Sequence, residues 1–373
     1  MRILLPISLD RWKNPICALL RAVVEFNPQH EFHAFSSPQC EEDSHMGEAF
    51  WKRANLRQCH PSAIALKEFD VVHTASYSNG NFAASCLSKL RGHGHTRFLN
   101  TMNLEPDPHD PVAWNRYEKL LRAADAFVAV SEAVAADFRQ RCPSRFLGVI
   151  PNGFDPAFYD PLLGMDGDLP EQVRHLGDGY PLWVAALEQR KHPEVLVELA
   201  RRNPGITFVA LGGVVPGGEE FAKAFEQTPN ICWLGPISRR QARAVLSKAG
   251  VLLFPSEREG LSLAMIEALA MGVPIIAQPK SSMPELVQPG VNGDLIDIAD
   301  MPAWQQALLR YVGLSQEQRR LILATVRNQA VQQYSWEVVG SAYASIYEKV
   351  IQLPRKLIHP LSDNAPVHAP LHS

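Results

Sequence analysis

The sequence contains no stretch approaching 18 uninterrupted apolar residues, which excludes a transmembrane helix. Its apolar N-terminus is broken by Asp10, Arg11 and Lys13, too soon for a signal-peptide core, and reads instead as a buried first strand. Six cysteines, Cys17, Cys40, Cys59, Cys86, Cys142 and Cys232, form no C-x-x-C pair and no metal-ligand spacing; reduced structural thiols are expected. Charge of one sign is not in excess either. Lys plus Arg number 36 against 39 acidic residues, a formal charge of −3, so no polyanion-wrapping surface and no nucleic-acid partner is expected. No repeat of solenoid period and no convincing Ser-His-Asp or Cys-His arrangement is found. These absences leave a cytoplasmic globular protein, with peripheral contact at the inner face of a membrane left open.

What is present is enough apolar material for two cores: 373 residues, 46% hydrophobic and 20% charged. Short β-branched runs alternate with segments of helical period, the pattern of parallel sheets covered by helices, so the fold class is α/β. In the first half, strands are expected at Arg2–Ser8, Glu31–Ser36, Asp70–Ala75, Arg97–Asn103, Ala126–Ser131 and Phe146–Pro151. Helices are expected at Pro15–Glu25, Asn81–Arg91, Val112–Ala124 and Glu132–Arg141, with Asn14 capping the first, and residues 38–68 read as irregular with at most one helix. Glycines and prolines cluster without apolar period before the alternation restarts, so 161–180 is expected as a linker. Strands follow at Leu182–Leu187, Thr207–Leu211, Ile231–Leu234, Val251–Pro255 and Ile275–Gln278. Helices are expected between them at Pro193–Arg202, Glu219–Glu226, Arg239–Lys248, Ser262–Met271 and Met283–Val287. Residues 301–352 are nearly all helical in pattern. The expected division is an N-terminal Rossmann-like domain over 1–160, a C-terminal one over 181–335, and a disordered tail over 356–373.

Chemistry concentrates in Val251 to Ala277, where an apolar strand ends at Pro255, a charged turn follows and a helix opens near Gly260. Glu259, Gly260, Leu261 and Ser262 thereby stand at the carboxyl end of a strand and at a helix N-terminus, where open α/β sheets bind ligands and free amides favour phosphate. Glu259 and Glu267 are eight positions apart. At about 100° per residue both carboxylates can face one side, and a carboxylate suits paired sugar hydroxyls. On spacing alone, a dipole-favouring acidic residue plus a surface glutamate is the commoner explanation.

The run E-G-L-S-L-A-M-I-E-A-L-A-M-G-V-P-I-I-A, followed by Met283-Pro284-Glu285-Leu286-Val287 and Gly290-Val291-Asn292-Gly293, closely resembles the donor-binding region of retaining glycosyltransferases of family 4. Val130-Ser131, Val149 to Asp155, Gly212-Gly213, Leu234-Gly235, Phe254-Pro255-Ser256 and Ser335-Trp336-Glu337 are similar in register. The resemblance is strong over 180–300 and 126–155 and weaker before 126. It implies GT-B architecture: two Rossmann-like domains facing a cleft, the second holding a nucleotide sugar, the first an acceptor, and a C-terminal helix, here about 336–352, returning to the first. It further implies that Glu267 binds the nucleotide ribose, that Glu259 lies beside the donor sugar, and that the backbone of Gly260, Leu261 and Ser262 holds the diphosphate. By the same resemblance Lys191 is directed at the diphosphate, and Gly235 and Pro236 lie near the base.

Departures from the family pattern are specific. Ala186 stands where an arginine is usual, with Arg190 as a neighbouring substitute. Arg11 and Lys13 replace paired glycines after the first strand; they are donor or acceptor contacts, or simply exposed. Asn103 stands where a histidine is usual; His73 is a possible replacement, although a satisfied strand-end histidine is the commoner case. Asp166-Gly167-Asp168 imitates a metal-binding D-x-D but sits in the expected linker and reads as a turn. The implied activity is a retaining, metal-independent hexosyltransferase with no cofactor, moving a hexose from a nucleoside-diphosphate sugar to a glycan, lipid-linked or small-molecule acceptor. The alternative is a catalytically weak nucleotide-sugar-binding subunit of a glycan assembly complex.

Overall fold

The computed structural model describes residues 1–9, 15–35, 50–59, 69–76, 96–104 and 110–354. The chain divides into two compact units, one of 1–130, 134–150 and 340 onward, the other of 131–133 and 151–339. In the first, strands β1 (Arg2–Ser8), β2 (Glu31–Phe35), β3 (Leu56–Cys59), β4 (Val71–Ala75), β5 (Arg97–Met102), β6 (Ala126–Ala129) and β7 (Phe146–Val149) form one sheet in the order β3-β2-β1-β4-β5-β6-β7. Every pairing is parallel. Central strands carry continuous buried runs because both faces are covered; all five residues of β4 are buried. Helices α1 (Pro15–Glu25), α2 (Pro111–Ala123) and α3 (Glu132–Arg141) intervene. Asp110 caps α2 by accepting from the amides of Val112 (3.0 Å) and Ala113 (2.9 Å), ahead of a proline that fits the first turn.

In the second unit, α4 (Glu171–Arg174), β8 (Tyr180–Val184), α5 (Pro193–Arg202), β9 (Phe208–Leu211), α6 (Glu219–Glu226), β10 (Ile231–Trp233) and α7 (Arg239–Lys248) come first. They are followed by β11 (Ala249–Phe254), α8 (Leu263–Ala270), β12 (Ile275–Ala277), α9 (Met283–Leu286), β13 (Gly293–Leu295), α10 (Met301–Val312) and α11 (Gln316–Tyr334). The parallel order is β10-β9-β8-β11-β12-β13, so successive strands run outward from β8 and then resume on its other side at β11. That reversal makes the carboxyl ends of β8 and β11 the switch point, where two loops part and leave a crevice. Trp183, Phe208, Phe225 and Trp304 anchor the core below it. These are two Rossmann-like α/β units.

A last helix, α12, spans Trp336–Gln352, and its residues from Gly340 belong to the first unit. There Tyr343 and Tyr347 are fully buried, and the Gly340 position admits no side chain, since a Cβ would meet the Ala22 carbonyl oxygen at 2.6 Å. Among the described residues no helix is long and apolar enough to cross a membrane.

Several expectations need correction. The division falls at Ile150/Pro151 rather than at 160, and 161–180 belongs to the second unit instead of linking the two. Met165, Leu169 and Val173 are buried there, so apolar side chains tie down a stretch whose glycines suggested freedom. Residues 38–68, expected to be irregular, contain β3, an edge strand in which Leu56 alone is fully enclosed. The short edge strand β13 has no apolar alternation, and it needs Gly293, whose Cβ would lie 2.0 Å from the Ile275 carbonyl oxygen. Asn14, the expected helix at Asn81–Arg91 and the expected tail at 356–373 lie outside the described residues.

Candidate functional site

The switch-point loops of the second unit bring together residues 68 apart in sequence. After β8, a single helical turn over Gln189–Lys191 ends at His192, whose φ of 49° reverses the chain into Pro193, the first residue of α5. After β11, Pro255 to Ser262 form the opposite loop. Lys191 Nζ donates to Glu259 Oε1 in a close ion pair, and both side chains are almost enclosed. Ser256 Oγ donates to the same carboxylate oxygen at 2.7 Å, and Arg190 Nη1 lies 3.7 Å from it. Burial pushes the Lys191 ammonium below its ordinary range, opposed by the neighbouring Glu259 carboxylate. Its ammonium also stands 5.8 Å over the Phe254 ring.

Glu259 is fixed through its backbone as well. Ser281, held at φ 50°, donates through Oγ to the Glu259 carbonyl at 2.7 Å and accepts from the Glu259 amide at 3.2 Å. Arg190 spans the crevice to the Arg258 carbonyl at 2.9 Å and pairs with Glu188 at 2.6 Å. The Glu257 amide returns to the Arg190 carbonyl at 2.8 Å. The two loops are therefore one hydrogen-bonded frame.

Helix α8 begins at Leu263, one residue inside the expected start, with Ser262 as its cap accepting from the Met265 amide at 3.4 Å. Among the described residues, the amides of Gly260, Leu261, Ser262, Leu263 and Ala264 donate to no protein acceptor. A run of five such donors at a helix N-terminus is suited to cradle an anion. Asn152 Nδ2 braces it by donating to the Leu261 carbonyl at 2.8 Å. Gly235 adopts φ 64° with open space where a Cβ would be, beside Pro236, and its carbonyl receives the Gly212 amide at 3.0 Å. Gly212 must be glycine: at φ 131° a Cβ would sit 1.6 Å from the Ala185 carbonyl oxygen.

Glu267 lies on α8, two turns below the Glu259 loop. Its carboxylate accepts the Tyr159 hydroxyl, a partner that sequence reasoning missed. Arg239 Nε is 3.4 Å from that hydroxyl, and the guanidinium lies 4.3 Å from the Phe158 ring centroid and 5.3 Å from that of Tyr159. Protein crowding around the half-buried Glu267 raises its carboxyl above the usual range; the Tyr159 hydrogen bond and the Arg239 charge oppose the rise.

In the first unit His73 proves to be structural. It is wholly buried, with Nδ1 2.8 Å from the Tyr347 hydroxyl and Nε2 2.9 Å from Thr101 Oγ1, and burial pushes it down to about 3. Both ring nitrogens are occupied, so it cannot replace the missing histidine. Asn103, just beyond β5, is half-buried, and its buried Oδ1 has no partner among the described residues. Asp166 and Asp168 form one helical turn and are ion-paired, with Lys248 at 3.2 Å and with Arg243 at 3.2 Å. Arg11 and Lys13 lie outside the described residues.

Comparison with known proteins matches both units. Residues 25–158 match the model of Glycosyltransferase Family 4, and 169–325 that of Glycosyl transferases group 1. The chain is 26% identical over 320 residues to a D-inositol 3-phosphate glycosyltransferase of Corynebacterium urealyticum, covering 77% of this chain and 73% of that one. It is 36% identical over 116 residues to an MMP alpha-(1->4)-mannosyltransferase of Mycolicibacterium hassiacum, covering 31% and 28%. Among solved structures, Anabaena HepE in complex with UDP and glucose superposes with a TM-score of 0.72 at 16% identity, over 94% of this chain and all of that one, a likeness of fold. Two parallel-sheet Rossmann-like units, matched in turn by the family 4 and group 1 models, make this chain a glycosyltransferase of the GT-B fold.

Proposed function

We propose that the second unit binds a nucleoside-diphosphate sugar and that the enzyme transfers its hexose with retention of configuration, without a metal ion. The observation that carries this reading is the cradle of five amides from Gly260 to Ala264 beside the Lys191 cation at the switch point. Leaving-group departure builds negative charge on the diphosphate, and oriented amides with an enclosed cation stabilise it where water is scarce. Lys191 and Arg190 supply the charge that a divalent ion supplies elsewhere. Glu259, held by Ser256 and Ser281, faces the hexose hydroxyls; Glu267 accepts from the ribose; Gly235 and Pro236 flank the base. The acceptor hydroxyl attacks on the face the diphosphate leaves, and the departing phosphate takes its proton, so no protein nucleophile is needed. The first unit selects the acceptor.

The names of the relatives make phosphorylated polyols such as inositol phosphate the first acceptors to try, within glycoconjugate or polysaccharide assembly. The test mixes purified protein with UDP-, GDP- and ADP-hexoses and such acceptors, with and without EDTA, and follows nucleoside diphosphate release and anomeric configuration. Turnover that survives EDTA and falls about 100-fold or more in Lys191→Ala and Glu259→Ala is expected. Unchanged turnover in both variants refutes the roles. A second reading, a nucleotide-sugar-binding subunit without turnover, is favoured by Ala186 and by the enclosure of His73; nucleotide binding with no transfer to any acceptor would select it.

A further inference from the structure

Glu267 is half-buried, and among the described residues the hydroxyl of Tyr159 donates to its carboxylate. Resting on the ribose role given above, we propose that Tyr159 is the positioning residue of the nucleotide site, its hydroxyl fixing one oxygen of Glu267 so that the remaining lone pairs face the ribose. Arg239 holds Tyr159 in turn.

Three observations carry this. First, the Tyr159 side chain is 2% exposed, and a hydroxyl in such a place is costly unless partnered; its acceptor is Glu267. A ring needed only for packing would require no hydroxyl. Second, the segment bearing Tyr159 is tied to the helix bearing Glu267. Arg327 Nη1 donates both to the Tyr159 carbonyl and, at 2.7 Å, to the carbonyl of Ala270, the last residue of α8; its Nη2 reaches the Pro156 carbonyl at 3.0 Å. Arg243 adds bonds to the Phe158 carbonyl at 3.0 Å and to Asp168 at 3.2 Å. Hydroxyl and carboxylate are thus held by one rigid frame. Third, a carboxylate accepts about four hydrogen bonds, so a single tyrosine donor orients it and leaves capacity for a vicinal diol. Among the described residues the charged and titratable groups acting on Glu267 are Tyr159 and Arg239, with Asp155 favouring the charge of Arg239. Removing the hydroxyl takes away a contact that favours the charged carboxylate, so the carboxyl rises further.

The experiment compares wild type, Tyr159→Phe and Glu267→Gln by calorimetric titration with UDP, GDP and ADP and with their 2′,3′-dideoxy counterparts, from pH 5.5 to 8. In wild type the ribose form of the preferred base binds more tightly than the dideoxy form, and Glu267→Gln abolishes that preference. Tyr159→Phe is expected to lose about tenfold in affinity for the ribose form, as for a lost hydrogen bond to a charged group. Its remaining ribose affinity falls away at higher pH than in wild type, and its dideoxy affinity is unchanged, which a packing defect would not spare. If Glu267→Gln loses the ribose preference while Tyr159→Phe keeps both the preference and the wild-type pH dependence, the positioning role is overturned and the ribose role stands. If Glu267→Gln keeps the preference, or no diphosphate binds wild type, the ribose role falls and takes the proposal with it.

Discussion

Acidification should loosen the first unit through His73. In the folded chain its two nitrogens face the hydroxyls of Tyr347 and Thr101, and Thr101 Oγ1 in turn meets the Tyr343 hydroxyl at 2.9 Å. The neutral imidazole is both donor and acceptor in this chain; burial holds it neutral down to about 3, against 6.5 for a free imidazole. The unfolded chain therefore takes up a proton that the folded chain refuses. Stability is fully present above pH 6.5 and declines as pH falls toward 3. Between pH 7.5 and 5.0 these values give a loss of about 2 kcal/mol. The assay is urea denaturation at both pH values for wild type and His73→Gln, with hydrogen exchange in α12 reporting the first unit separately. Wild type should lose about 2 kcal/mol more than the variant on acidification, while the pH profile of turnover is the same for both. Equal losses would refute the enclosure of His73; a displaced turnover profile would return it to the active site.

Replacing Gly212 by Ala places a methyl group into the Ala185 carbonyl at a positive φ, and should cost about 3 kcal/mol or more, read as a lowered unfolding midpoint of the second unit. Ser281→Ala frees the Glu259 peptide from its clamp and should lower turnover about tenfold, as for one lost hydrogen bond beside a charge, with the melting temperature within a few degrees of wild type. Trp304→Ala empties a fully buried site under the second sheet and should cost about 3–5 kcal/mol by denaturant titration.

The strands and helices that bury one face or two were legible because apolar period reports burial directly; α1, α3, α5, α6 and α7 have the bounds that their patterns predict. Edge elements such as β3 were not, because a strand covered on few sides needs few apolar residues. The frame around Glu259 was visible only as separate motifs: nothing in the spacing of Lys191 and Glu259 shows that two loops parting at β8 and β11 bring them together. Tyr159 was missed because it lies in an irregular segment, where aromatic residues carry no periodic signal; the pair Phe158-Tyr159 beside Pro156 and Pro161 was the one available hint of burial. For His73 the commoner reading, a satisfied strand-end histidine, holds, but one of the partners that satisfy it, Tyr347, lies 274 residues away and carries no signal beside it in the sequence.

The discontinuity of the first unit has a consequence for synthesis. Its sheet is complete once β7 has emerged, yet Tyr343, Tyr347 and Val350, which close its core, follow the whole of the second unit along the chain. A ribosome delivering residues in order therefore holds the first unit without its final helix, with His73 and Thr101 lacking their tyrosine partners, until the second unit has been made. The second unit can finish folding first, and the first is sealed last.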